Sequence, residues 1–457
     1  MKKEMFEHEI SLLRDTFRRL LNRKAKTNLV KLIDKTHPAD LAVIYRFFTD
    51  DEQMYLFDLM KDSEYVSEFL SELDESILED LLEEVAPERL VPIIRNASSD
   101  DQTTILNALP DEKAKAIIDL LHADEQEEIE EMLAYPEDSA GSMMSRDVFT
   151  LNEGLTAGEA IKDLQNQEDA EMVFYLYVTD DENHLVGVIS LRDLATTPSS
   201  TKLKDMMIKN VQQVRAETDQ EEVAKIVSRY NLLAVPVVDG NDEILGIVTV
   251  DDVVDVIREE ATEDFLQMAG AGKDREILLK SSWDNAKARL PWLFASWIGG
   301  VVAISIIGYF ENMLQSIVAL AAFIPVIIGM GGNIGTQSST IVVRGLATGR
   351  IDFGGELKLI LKELNVGLIL GSLYGLLLGV LAFFFFKETT PATFGIVVGL
   401  SICASMILAT SIGTIVPLLL RKLDVDPAIA TGPFVTTTID ILGVGIYFLI
   451  ASALLPM

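Results

Sequence analysis

The sequence contains little of several residue types, and each scarcity limits what the protein can do. A single cysteine, Cys403, stands in a chain of 457 residues, so no intrachain disulfide can form. All four histidines precede residue 289, so the apolar second half has no imidazole ligand for a zinc or copper site. The N-terminal stretch MKKEMFEHEISLLRD has no apolar segment, and we expect it not to be a cleavable signal.

Basic residues are also scarce, and the deficit lies entirely in the first half. The net charge is −33, yet residues 289–457 hold eight basic and eight acidic residues and are neutral. The first 288 residues hold the other 38 − 8 = 30 basic and 71 − 8 = 63 acidic residues. An excess of this sign attracts cations and repels nucleic acid and anionic lipid. The charge fits a cation-binding domain or a plain solvated acidic surface.

Long apolar runs repeat in the second half, and each has the length of a membrane helix. A helix that spans the bilayer needs about 20 apolar residues. Five runs satisfy this requirement: 290–310, 314–343, 359–386, 393–420 and 428–455. With the N-terminus inside, seven Lys and Arg residues flank the inner ends and one, Lys387, lies in an outer loop. This asymmetry predicts a multi-pass protein of the cell membrane with its N-terminus in the cytoplasm and its C-terminus outside.

Residues 1–130 have the pattern of short helices in series. Segments such as DLAVIYRFFTDDEQMYLFDLM place apolar residues three and four apart, with Asp, Ser or Pro at the breaks. We predict a helical N-terminal domain built as a small stack or superhelix.

Residues 138–255 contain a duplication. The stretches YLYVTDDENHLVGVISLRDL and AVPVVDGNDEILGIVTVDDV align without a gap, and each reads as strand, turn and strand before a helix. This region resembles a tandem pair of CBS domains, with copies at 138–200 and 201–255. In that family the Ser/Thr and Asp of the motif G-h-h-[ST]-x-x-D can contact a nucleotide, and N-capping of the helix is the alternative. The motif residues are Gly187, Ser190, Asp193, Gly246, Thr249 and Asp252.

A long connecting helix is predicted to follow, over residues 256–288. Acidic side chains from Asp252 to Asp264 fall on adjoining turns, and Arg258 is the one basic residue among them. Like charges at this spacing destabilise an isolated helix. The shortage of basic partners favours an inorganic counter-ion.

Asp440 is a carboxylate inside the fifth apolar run, where it is the thirteenth residue. A central Asp costs about 2.5–3.5 kcal/mol on membrane insertion, so such residues usually face a cavity, a partner or an ion path. One carboxylate cannot strip Mg²⁺ of its water but can hold the hydrated ion. Two copies facing each other across a two-fold axis would give a −2 site, so the mechanism suggests a homodimer.

The second run contains PVIIGMGGNIGTQSS, which combines glycines with polar side chains. Close helix packing accounts for the glycines. It accounts less well for Asn333, Thr336 and Gln337 at membrane depth. We therefore predict a helix that is interrupted at GMGG and lines a polar route.

These motifs together resemble the MgtE family of magnesium channels and transporters, over nearly the whole chain. The resemblance runs through YPEDSAGSMM, PVIIGMGGNIGTQSS and LLRKLDVDPAIATGPFVTTTIDILG. It implies a homodimer whose second and fifth spans line the pore, with the pore aspartate at Asp440 and a second carboxylate at the inner mouth at Asp426. Asn333, in the second run, is the third predicted pore residue.

The resemblance also implies regulatory Mg²⁺ sites in the cytosolic half. One position departs from the family pattern, because Asn231 stands where an Asp often occurs, and its neutral amide should weaken that site. The implied positions are Asp100, Asp101, Gly141, Asp219, Asn231, Asp252, Asp255, Glu260, Glu263 and Asp264.

The fold class expected from these observations is multi-domain. It combines an α-helical N-terminal domain (1–130), α/β tandem CBS domains (138–255), a connecting helix (256–288) and an all-α domain of five transmembrane helices (289–457). We expect no enzymatic activity, but a Mg²⁺-selective channel or transporter that cytosolic Mg²⁺ closes and to which an adenine nucleotide can bind. The alternatives are a transporter of another divalent cation, a membrane-tethered nucleotide sensor, and an anion or amino-acid transporter.

Overall fold

The computed structural model describes most of the chain and divides it into two units, Met1–Arg258 and Glu259–Met457. The described residues are 2–166, 174–272, 277, 280–351, 355–386, 391–423, 425–430 and 432–455.

Ten helices form the N-terminal part of the first unit and confirm the predicted helical domain. Local signals set their starts: Thr49 and Glu52 form a capping box, and Pro38 and Pro87 occupy first turns. Their apolar faces share one core that includes Tyr45. The helices are α1 Lys2–Asn22, α2 Lys26–Ile33, α3 Pro38–Tyr45, α4 Asp50–Phe57, α5 Ser63–Ser71, α6 Glu75–Glu84, α7 Pro87–Arg95, α8 Ser99–Asn107, α9 Asp111–Ile118 and α10 Ala123–Leu133.

Two three-stranded sheets with the same topology follow, and they confirm the duplication. In each sheet the first strand is parallel to the second, and the second is antiparallel to the third. The register shifts at equivalent places, Val178/Thr179 and Val237/Val238. The first copy contains β1 Thr150–Asn152, α11 Ala157–Gln165, β2 Tyr175–Thr179, β3 Leu185–Ser190 and α12 Leu191–Thr196. The second contains α13 Leu203–Met206, β4 Val214–Arg215, α14 Gln220–Tyr230, β5 Ala234–Val238 and β6 Ile244–Thr249.

The connecting helix, α15, spans Val250–Met268 and is shorter than predicted. It ends because Gly270 adopts φ +68°, a left-handed conformation that glycine tolerates. The amides of Gly270 and Ala271 donate to the carbonyls of Gln267 and Leu266, which closes the helix in a Schellman motif. The prediction of one helix to residue 288 is therefore wrong, although its residues 273–276 and 278–279 lie outside the described part of the chain.

Five long apolar helices in the second unit confirm the predicted transmembrane domain. Each is long enough to cross a bilayer. The first extends beyond its apolar run, because Ser281 caps it at the amide of Asp284. The helices are α16 Ser282–Tyr309, α18 Ala319–Ala347, α19 Glu356–Phe385, α20 Pro391–Lys422 and α21 Pro433–Leu454, with a short α17 at Glu311–Ser316.

Glycines let these helices pack closely. Gly367, Gly371 and Gly375 of α19 are buried at intervals of four residues. A methyl group on Gly375 would lie 2.5 Å from the carbonyl oxygen of Gly399 in α20. Membrane helices often associate through such rows of small residues, because the hydrophobic effect does not drive helices together within lipid.

The helix α18 is continuous through GMGG, so the predicted interruption is wrong. Two of its glycines lie against a neighbouring helix: a methyl group on Gly331 or Gly335 would lie 3.0 or 2.1 Å from carbons of Ile439 in α21. Packing from both sides keeps the backbone helical despite its glycine content. Close packing accounts for these glycines, and the polar side chains need a separate explanation.

Candidate functional site

Asp440 is half-buried on α21 and lies nearer to one end of the helix than predicted. It is the eighth residue of α21, about 10 Å along the axis at 1.5 Å per residue. The prediction of a thirteenth position assumed a helix from residue 428. The chain instead forms a single 3₁₀ turn over Pro427–Ala430, and α21 begins at Pro433.

Glycines of two other helices lie against α21 at or near Asp440. A methyl group on Gly332 of α18 would lie 3.8 Å from Asp440 Oδ1. One turn earlier, a methyl group on Gly299 of α16 would overlap the Thr437 side chain. The carboxylate therefore lies against the α18 backbone rather than against a bulky side chain.

One face of α18 is both polar and exposed. Gly329, Asn333 and Gln337, spaced four residues apart, are exposed, and Thr340 continues the face. The opposite face, which includes Ser338, is buried. Amide side chains are poorly accommodated in hydrocarbon, so this face fits a water-filled path or a second protein surface.

Asp426 lies in the segment that leads into α21. Its Oδ1 accepts a hydrogen bond of 2.8 Å from the amide of Ala428, which caps the 3₁₀ turn. The second carboxylate oxygen is left for another partner. Of the three predicted pore residues, the structure thus places Asn333 and Asp440 on adjacent helices and Asp426 before the start of α21.

The end of α15 packs against the start of α21, within the second unit. A methyl group on Gly432 would lie 3.3 Å from the Gln267 carbonyl oxygen, and one on Gly270 would lie 3.0 Å from Pro433. Gln267 is 1% exposed and donates a hydrogen bond of 2.8 Å to Glu263. A displacement of this end of α15 would therefore act directly on the helix that carries Asp440.

Asp100 of α8 and Asp252 of α15 approach each other in the first unit. Burial and then the Asp100 charge raise the pKa of Asp252 to about 7. Burial is also the main cause that raises the pKa of Asp100, and Asp100 Oδ1 is buried without a hydrogen-bond partner. Two carboxylates placed this way favour a proton or a cation between them.

Glu72 is a residue that sequence reasoning missed. Burial, and next the Asp255 charge, raise the pKa of Glu72, so a second carboxylate of the N-terminal domain lies near α15. Asp255 itself forms an exposed ion pair of 3.1 Å with Arg258. The proximity of Glu72 to Asp255 depends on the fold and has no local sequence signal.

Gly141 and Asp219 are brought together by backbone pairing. The Gly141 amide donates to the Ala216 carbonyl at 2.8 Å, and Ser139 forms a β-bridge with Asp219. A methyl group on Gly141 would overlap the Tyr135 ring, so glycine is required there. Gly141 can therefore reach an ion only through its backbone.

Asp219 and Asn231 occupy the two ends of α14. The Asp219 side chain accepts from the amide of Glu221 and caps the start. Asn231 ends the helix at φ +52°, a left-handed conformation that Asn adopts more readily than most residues. Local geometry thus accounts for an amide at position 231.

The motif residues of both CBS copies form N-terminal caps. Thr249 donates to the Asp252 carboxylate, and Ser190 donates to Asp193 at 2.7 Å. In the residues that the structure describes, no three Asp, Glu, His or Cys side chains of one chain are grouped to hold a metal ion. The other predicted regulatory residues are Asp101, in the first turn of α8, and Glu260, Glu263 and Asp264, in the second half of α15.

Comparisons with known protein families match the N-terminal domain, the CBS domains and the membrane domain of this chain. The family model MgtE, described as a divalent cation transporter, matches residues 324–450. The MgtE intracellular N domain matches residues 36–138, and CBS domains match 140–199 and 203–259.

Two relatives are similar over nearly their whole length. The magnesium transporter MgtE of Bacillus subtilis (strain 168) is 36% identical and covers 92% of this chain and 93% of its own. The magnesium transporter MgtE of Thermus thermophilus is also 36% identical, over 93% of this chain and 95% of its own.

Two solved structures resemble the cytosolic part of the chain. The soluble part of a magnesium transporter has 31% identity and a TM-score of 0.50, and it covers 55% of this chain and 99% of its own. The cytosolic domain of the Mg²⁺ channel MgtE in complex with ATP has 32% identity and a TM-score of 0.51, over 53% and 99%.

Proposed function

Because the chain belongs to the MgtE family of divalent cation transporters, we propose that it is a homodimeric Mg²⁺-selective channel that cytosolic Mg²⁺ closes. The family consists of membrane transporters, so the chain is not an enzyme but a membrane protein with a cytosolic N-terminal domain. With five spans and a cytosolic N-terminal domain, the proposed location of the C-terminus is the outer side of the membrane.

The exposed polar face of α18 beside Asp440 is the observation that carries this proposal. The side-chain oxygens of Asn333 and Gln337 can accept hydrogen bonds from the water of a hydrated cation, and Asp440 supplies charge. A tether needs neither feature. Among the described residues Asp440 forms no ion pair with a basic side chain, which disfavours an anion path. A second copy related by a two-fold axis would enclose this face and double the charge.

Cytosolic Mg²⁺ acts in this proposal by stabilising a closed state. The ions bind the acidic residues of the N-terminal domain, the CBS domains and α15, and they neutralise carboxylates such as Asp100 and Asp252 that otherwise repel. The contact of Gln267 and Gly270 with the first turn of α21 supports a route from α15 to the pore. Ions shift the equilibrium only through their higher affinity for the closed state.

Adenine nucleotide is proposed to bind at the CBS pair, through Thr249 and Asp252. The support is the likeness to a cytosolic domain solved with ATP. The Thr249–Asp252 hydrogen bond holds both side chains at the start of α15, where helix amides favour phosphate.

Ion flux into liposomes tests the pore assignment. We expect Asn333→Leu to lower Mg²⁺ flux by about tenfold or more, because the amide that faces the path is lost. The matched control is Ile341→Leu, an exposed apolar position on the same helix. Equal flux through Asn333→Leu and wild type would contradict the assignment. Faster passage of Co²⁺, Mn²⁺ or Ca²⁺ than Mg²⁺ by wild type would favour the alternative, a transporter of another divalent cation.

A further inference from the structure

Glu363 is a buried carboxylate that the proposed mechanism leaves without a role. It is 4% exposed and is the one charged side chain that is fully buried in the described part of the chain. It lies on α19 one turn before Gly367, at the end of the seam Gly367, Gly371 and Gly375. Position 363 continues the four-residue spacing of these buried glycines, but it holds a large polar side chain. A buried polar group is costly unless it has a hydrogen-bond partner.

That partner is the pore helix α18. The Ser338 hydroxyl donates a hydrogen bond of 2.8 Å to Glu363 Oε2, and both side chains are buried. At the same place α18 also packs closely against α20: a methyl group on Gly413 would lie 2.4 Å from the Gly335 carbonyl oxygen and 3.2 Å from Ser338 Cβ. The hydrogen bond therefore joins two helices at a place where glycines bring α18 against the scaffold.

Glycines bring α18 close to its neighbours at this place, and apolar side chains such as Ile334 and Val342 fill the rest of its buried face through non-directional contacts. A buried hydrogen bond is directional and costly to leave unmade in a low dielectric. At 100° per residue, Asn333 and Gln337 are about 140° and 100° away from Ser338 around the helix axis. Fixing Ser338 on the buried side therefore fixes the direction in which the two exposed amides point.

We propose that Glu363 is a positioning residue for permeation, which orients the polar face of α18 through its hydrogen bond with Ser338. This inference rests on the proposed function of that face as the ion path. It assigns Glu363 no contact with the ion.

Selectivity is the readout that separates this role from a merely structural one. The ratio of Mg²⁺ to Co²⁺ flux is measured in liposomes, together with the Mg²⁺ concentration at half-maximal flux. Ser338→Ala removes the donor, Glu363→Met keeps the volume without an acceptor, and Glu363→Gln keeps the hydrogen bond without the charge. Glu356→Gln is the matched control, because Glu356 is on the same helix and pairs with Lys422 at the surface.

We expect Ser338→Ala and Glu363→Met each to change the flux ratio by about fivefold or more, whereas Glu363→Gln and Glu356→Gln stay within about twofold of wild type. The double variant Ser338→Ala with Glu363→Met should change the ratio no more than either single variant. An unchanged ratio in Ser338→Ala, or a Glu363→Gln that is as altered as Glu363→Met, would overturn the role. If Glu363→Met does not fold, Ser338→Ala alone decides. A wild-type protein that passes no Mg²⁺ would instead refute the proposed function.

Discussion

Asp252 is a residue whose charge is expected to change near neutral pH. Its pKa is raised to about 7, first by burial and next by Asp100. A carboxyl whose folded pKa exceeds its unfolded value stabilises the fold below the unfolded pKa, near 4, and loses that contribution as pH rises through the folded pKa. We therefore expect the first unit to lose stability in Mg²⁺-free buffer between about pH 4 and 7.

Protons and Mg²⁺ should compete at this site. Because metal binding needs the ionised carboxylate, the Mg²⁺ concentration that half-inhibits flux should rise as pH falls below 7, by at most about tenfold per unit. Mg²⁺ should inhibit flux through the Asp252→Asn variant only weakly, and that inhibition should no longer depend on pH. Flux measured at pH 6, 7 and 8 over a Mg²⁺ series checks the prediction. Asp193→Asn, at the equivalent exposed position of the first CBS copy, is the control, and an equal effect there would contradict it.

At the scale of single residues, the sequence can single out a side chain that has a local signal, but it cannot identify partners that are distant in the chain. Asp440 is conspicuous because an apolar run surrounds it. Asp100 and Asp252 are 152 positions apart, and no spacing rule indicates that their carboxylates interact. Glu363 has the same difficulty, since its role depends on Ser338 in another helix.

At the scale of elements, the end of α15 is the place to separate gating from permeation. Alanine at Gly270 would have to adopt φ +68°, at a cost of about 1–2 kcal/mol, and would crowd Pro433. We expect Gly270→Ala to weaken inhibition by cytosolic Mg²⁺ while Mg²⁺ flux at low cytosolic Mg²⁺ is retained. Dose–response curves in liposomes measure both. Gly300→Ala, whose added methyl group meets nothing within 4 Å, should match wild type. Unaltered inhibition in Gly270→Ala would refute the α15–α21 route.

The α19–α20 seam gives a prediction about stability alone. A methyl group on Gly375 would lie 2.5 Å from the Gly399 carbonyl oxygen, so Gly375→Ala should destabilise the second unit by about 1–3 kcal/mol. Thermal unfolding in detergent measures the loss. Gly308→Ala, in open space on α16, is the control. Equal melting temperatures for the two variants would show that the seam is looser than described.

Elements were predictable to the extent that their signals are local. Apolar length predicted the spans, and period and duplication predicted the two sheets. The interruption at GMGG was wrong because glycine both weakens a helix and permits close packing, and neighbours such as Ile439 decide which effect prevails. The connecting helix was overextended because its end depends on one positive φ, at Gly270.

At the scale of the whole molecule, the excess of acidic residues in the first half fits the proposed binding of cations. The exposed polar face of α18 fits the proposed contact with a second copy of the chain. We expect the wild-type protein in detergent and Mg²⁺-containing buffer to have the mass of two chains. Light scattering coupled to size-exclusion chromatography measures this mass. A monomer that still conducts Mg²⁺ would contradict a pore shared between subunits.

Mg²⁺ flux into liposomes through wild type and Asp440→Asn tests the central claim most directly. The variant keeps the shape of the side chain and removes its charge, with Glu311→Gln on the short helix α17 as a control for loss of a carboxylate elsewhere. A charge that attracts the hydrated ion at this depth is worth a few kcal/mol, so we predict a loss of Mg²⁺ flux of about a hundredfold in Asp440→Asn and none in the control. Wild-type flux in Asp440→Asn would contradict the account.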